Sequence, residues 1–154
     1  MVSRIRVARD KAELVKSLVT SRDTTGPFQT YADAIAFAAA LGAKRQKRVA
    51  ITEVSKNEPG PISLEVFISR GYDLTIKLLA LSETQNTKIL SPYDPQTEEK
   101  RLAIFDEYAN GGLEILREEL RGAVDYTERL LLILNQERFQ ENIPEGEFDL
   151  SRFL

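Results

Sequence analysis

Between residues 28 and 48 apolar positions recur every three or four residues, and FQTYADAIAFAAALGAKRQKR reads as a helix with both ends marked. Tyr31, Ala34, Ile35, Ala38 and Leu41 share one face. Phe37 and the extra alanines widen that face, so burial over much of the circumference is expected. Thr30 supplies a hydroxyl for an orphan N–H, and Asp33 places a carboxylate at the positive helix end. Gly42 suits a left-handed C-terminal position, with Lys44, Arg45, Lys47 and Arg48 just past the negative end.

Before this helix, SRIRVA alternates cationic and apolar side chains and predicts a short half-exposed strand. Asp10 then suits the cap of a helix in which Leu14 pairs with Leu18 and Val15 with Val19. Strand, helix, helix is the order of a ribbon-helix-helix unit, whose paired strands from two copies enter the DNA major groove. That reading points Arg4 and Arg6 at nucleic acid and implies a homodimer. Residues 49–54 suit a strand or an extended connector, and Pro59, Gly60 and Pro61 break the chain. ISLEVFISR fits either period; the flanking helical segments and Gly71 favour helix. Residues 72–82 predict a helix using Leu74, Leu78 and Leu81 on one side with Ile76 and Leu79 adjoining, and Glu83–Pro95 a mobile polar loop. From Thr97 to about Arg138 the spacing is helical, with Asn110-Gly111-Gly112 a place for a kink or break. Leu102, Phe105, Ala109, Leu113, Leu116, Leu120, Val124, Leu131 and Leu134 form its seam. The expected fold is mainly α: one mostly helical domain over 1–141 and a C-terminal tail over 142–154.

Composition narrows the chemistry. The chain has neither cysteine nor histidine, which removes disulfides, thiolate or imidazole metal sites and the usual general base. No enzyme activity, cofactor or metal is expected. No apolar run approaches the ~20 residues of a membrane span, and MVSRIRVARDK lacks a signal-peptide core, so a cytoplasmic protein without membrane contact is expected.

Net charge is −3, but residues 1–56 hold eleven Lys and Arg against five acids, and the remainder ten against nineteen. The split suggests a polyanion-facing surface, unless folding interleaves the two signs. Arg4, Arg6, Arg9, Lys44, Arg45, Lys47 and Arg48 are the candidate DNA-contacting residues; a solubilising helix end is the plainer account of 44–48. Glu98, Glu99, Asp106, Glu107, Glu114, Glu118 and Glu119 form an acidic stripe, read as a solvated face. The Glu53…Lys56 spacing, seen in some nuclease sites, lacks the upstream Asp that would complete one. In the tail, Phe148, Leu150, Phe153 and Leu154 follow an acidic lead; these apolar anchors suit docking to a partner or folding back on the core.

Four segments in order, FQTYADAIAFAAALGAKR, PGPISLEVFISRGYD, EEKRLAIFDEYANGGLEIL and EFDLSRFL, resemble the Dnd system-associated protein 4 family, the DNA phosphorothioation-associated proteins. The resemblance covers nearly the whole chain. It implies a small bacterial protein encoded beside systems that put sulfur into the DNA backbone or restrict unmodified DNA, and it assigns no catalytic residue. The first functional expectation is a non-enzymatic DNA-binding accessory of such a system. The second is a protein–protein adaptor of the same machinery, acting through the acidic helix and the tail.

Overall fold

A computed structural model of the chain describes residues 3–22 and 24–142, the last four as backbone only. It is mainly α: β1 (Arg4–Ile5), α1 (Ala12–Ser17), α2 (Tyr31–Lys44), β2 (Ile62–Ser63), α3 (Leu64–Ser69), α4 (Asp73–Thr84), α5 (Pro95–Glu119) and α6 (Tyr126–Asn142). Short 3-10 turns occupy Arg9–Lys11 and Thr87–Leu90. The chain divides into two units, one up to Arg121 and one from Gly122.

In the first unit α2 packs along α5 more extensively than any other two elements meet. Small residues make this possible. A Cβ on Gly112 would overlap the Ala38 carbonyl, and one on Gly111 the Lys47 carbonyl. Gly42 faces the Tyr108 carbonyl in the same way. Gly42 is therefore helical and buried, not the left-handed residue expected. Gln46 takes that conformation instead, at φ 55°. Likewise α5 runs unbroken through Gly111-Gly112, because these glycines let two backbones touch. At the other end of α2, the Thr30 hydroxyl accepts from the Asp33 N–H at 3.2 Å, as its cap.

Around this pair Ile5, Val15, Leu18, Ile35, Phe67, Phe105 and Leu116 are buried, Phe67 meeting Phe105 edge to face at 5.6 Å. Burial of each such side chain contributes roughly 1.5–3 kcal/mol. β1 pairs antiparallel with β2 of its own chain, Arg4 opposite Ser63. Farther on, Arg9 N–H donates to the Glu53 carbonyl and Ser55 N–H to that of Val7. Residues 49–54 are thus an extended connector with one bridge, Val54 to Ala8.

Other expectations need correction. Residues 62–70 open as strand and continue as helix, Ser63 capping α3 by accepting from Glu65 N–H. On α4 the core takes Ile76 and Ala80, while Leu74 and Leu78 are 65% and 53% exposed. These stripes lie about 160° apart at 100° per residue, and Ala80 packs with Ile89 and Ile104 in the core. Asp10 sits within the first 3-10 turn and caps nothing. Residues 83–95 are tied down: Ile89 is buried, and the Arg101 guanidinium donates to the carbonyls of Ile89 and Ser91 at 2.7 and 2.9 Å. The predicted long helix ends at Glu119, and Gly122, at φ 76°, begins the connection to α6.

The second unit is described through Asn142. Asp125 caps α6 by accepting from Glu128 N–H at 3.2 Å. Leu130 and Ile133 are buried, whereas Val124, Leu131 and Leu134, expected in the seam, are exposed. The tail residues Phe148, Leu150, Phe153 and Leu154 lie outside the described residues. No helix among the described residues is long and apolar enough to cross a membrane.

Candidate functional surface

The two signs of charge that are segregated in sequence interleave in the first unit. Because α5 lies against α2 and the N-terminal segment, its acidic residues meet the cations of the front half. Arg6 forks onto Asp106, Nε to Oδ2 at 2.9 Å and Nη2 to Oδ1 at 3.0 Å, and its backbone N–H donates to Oδ2. Burial pushes the Asp106 carboxyl up, opposed by the Arg6 guanidinium and backbone. Hydrogen bonding to that carboxylate holds Arg6 more firmly protonated.

The 44–48 cluster is drawn in the same way. Arg48 donates to Glu107 at 2.8 Å and to Glu83 at 3.2 Å. Lys47 pairs with Glu114 at 3.3 Å and Arg45 with Glu119 at 3.5 Å. Lys44 is exposed at the end of α2. Arg9 reaches Glu53 at 3.2 Å, with both side chains more than two-thirds exposed, a pairing worth at most about 1 kcal/mol. Arg4 is exposed and has no ion-pair partner among the described residues. The acidic stripe is accordingly only partly a solvated face: Asp106, Glu107, Glu114 and Glu119 each hold a cation from elsewhere.

Lys11, which sequence reasoning passed over, is the most buried cation, 1% exposed. Its Nζ donates to Asn110 Oδ1 at 2.9 Å and lies 3.2 Å from Asp10 and 3.5 Å from Glu114. The Asn110 amide in turn donates to the Val49 and Ala50 carbonyls. Asn110 thus joins the connector, the first 3-10 turn and α5. A cleft of about 620 Å³ opens above this group, lined by Arg9, Glu53, Thr52 and Ala50 as well as Lys11 and Asn110. Its charges are matched locally, Asp10 by Lys11 and Arg117, Glu114 by Lys11 and Lys47. Such a lining offers neither a net-positive cradle for phosphate nor a spare carboxylate set for a cation. No group of three or more Asp and Glu among the described residues converges to hold a metal.

A second polar group fixes the start of α2. Arg70 forks onto Asp33 at 2.8 and 2.7 Å, and the Tyr72 hydroxyl donates to the same carboxylate at 2.6 Å. Burial alone would raise the Asp33 carboxyl; Arg70, Tyr72 and Thr30 outweigh it and hold the group below the usual carboxylate range.

The outer faces of α3 and α4 carry a different chemistry. Leu74 and Leu78, one turn apart on α4, are exposed, as are Val66 and Ile68 on α3. Beside the leucines, Lys77 is held by Asp73 at 2.9 Å.

Comparison with known proteins places this arrangement. The family model described as DNA sulphur modification system-associated protein 4 matches residues 4–153, and the chain belongs to that family. No curated protein and no solved structure matches. The family is defined by association with a DNA sulphur-modification system rather than by a reaction.

Proposed function

We propose that this protein is a non-catalytic accessory of a DNA sulphur-modification system that acts as a protein–protein adaptor. One observation carries the reading: the cations best suited to DNA, at Arg6 and 45–48, are engaged by carboxylates of its own chain. Releasing them to phosphates would strand Asp106, Glu107 and Glu114 around α5. What is exposed among the described residues includes apolar side chains on the outer faces of α3 and α4, to which the sequence adds the candidate anchors Phe148, Leu150, Phe153 and Leu154. Protein components of the modification or restriction machinery are the partners that fit.

The test is co-elution of purified machinery components with the full chain, with a Leu74→Glu/Leu78→Glu variant and with a chain lacking residues 147–154. Loss of co-elution in either variant with an unchanged circular dichroism melt supports the adaptor. Capture that survives both changes removes these surfaces from it.

A DNA-contacting reading keeps one observation in its favour: the exposed side chains of Arg4, with no ion-pair partner among the described residues, and of Arg9, only weakly held. Fluorescence anisotropy of plain and phosphorothioated duplexes at two salt concentrations separates the readings. The adaptor predicts the same weak signal from wild type and from the variant with Lys44, Arg45, Lys47 and Arg48 changed to Ala. A steep salt slope that flattens in that variant would transfer the function to DNA.

A further inference from the structure

Helix α6 is apolar on both sides. Residues 130–134 read Leu-Leu-Leu-Ile-Leu, and five consecutive helical positions cover more than a full turn at 100° each. Leu130 and Ile133 are buried, whereas Leu131, Leu132 and Leu134 are 57%, 51% and 47% exposed. Three neighbouring exposed leucines on one turn make a contiguous apolar stripe of the kind that marks an interaction site.

The charges beside the leucines say which partner fits. Glu128 and Arg138 are exposed and have no ion-pair partner among the described residues. At 100° per residue both lie within about 60° of Leu131 on the helical wheel, one toward each end of the helix. An antiparallel second copy, with its two-fold axis at the level of Ile133, sets Glu128 against Arg138 of the other copy and Arg138 against Glu128. Leu132 then falls opposite Leu134 of the second copy. A parallel pairing would set like against like. The stripe is therefore self-complementary, as a closed two-fold contact requires.

We propose that α6 is a self-association helix, packing antiparallel on α6 of a second copy of this chain through Leu131, Leu132 and Leu134, with reciprocal Glu128–Arg138 pairs at the ends. A single helix pair about 25 Å long buries less than the ~1,600 Å² of a standard interface, so a dimer dissociating in roughly the micromolar range is expected.

Sedimentation velocity of the full chain, from about one to a hundred micromolar, tests this. A shift from the 17.4 kDa monomer toward twice that mass is expected across the series. Leu131→Glu should weaken the dimer at least tenfold without changing the circular dichroism melt, since that side chain is exposed. Glu128→Arg and Arg138→Glu should each weaken it, and the double reversal should restore it. A monomer at every concentration would overturn the proposal, and would leave the stripe to this chain's own tail or to a different protein. So would a dimer indifferent to Leu131→Glu, or a double reversal that fails to rescue.

Discussion

Lys11 shows how much one side chain ties together here. Its ammonium group is removed from water and faces Asp10 and Glu114, with Asn110 completing its shell. Lys11→Ala would leave the Asn110 carbonyl and a partly buried carboxylate facing a void, and breaking such a group costs about 3–5 kcal/mol. Urea unfolding should register that loss; a cost below 1 kcal/mol would mean the site relaxes or floods with water. Asp33 gives a pH signature. Its folded carboxyl titrates below the unfolded one, so its contribution is present above the unfolded carboxylate value of ~3.9 and is lost as pH falls through the folded one. Asp33→Asn should therefore lower the melting temperature at neutral pH and flatten its fall between about pH 5 and pH 2. An unchanged acid limb would assign the acid sensitivity to other carboxylates.

Elements were legible in the sequence where one stripe dominates, and illegible where two compete. The apolar and small residues of α2 and the seam from Leu102 to Leu116 identify their helices correctly, because each is buried over one broad continuous arc. In α4 the Leu74–Leu78 and Ile76–Ala80 stripes are equally good by spacing. Only the tertiary position of Ile89 and Ile104, which pack with Ala80, decides between them, and that information is not local. Asn110-Gly111-Gly112 misleads for a related reason: its glycines look like a break, yet they serve the close approach of α2 and the 44–48 turn. Gly112→Ala should cost about 3 kcal/mol or more, since a methyl there meets backbone that cannot step aside. Gly71→Ala, with open space around it and a positive φ, should cost only about 1 kcal/mol. Comparable losses at the two sites would contradict a close-packed α2–α5 contact.

For the molecule as a whole, the charge segregation along the chain marks partners within the fold. The basic front half and acidic rear half meet across α5, at pairs separated by up to 103 positions, which no local pattern reports. Changing Lys44, Arg45, Lys47 and Arg48 together to Ala should accordingly cost roughly 1–2 kcal/mol of stability, the sum of several exposed pairs. A melt identical to wild type would mean those pairs contribute nothing measurable. The same long separations bear on how the chain is made. Arg6 waits for Asp106 and Lys11 for Asn110, so these two contacts close only after about a hundred further residues have been made. At about 5–20 residues per second that is an interval of roughly 5–20 s. The polar ties of the N-terminal segment to α5 can therefore be made only late in synthesis.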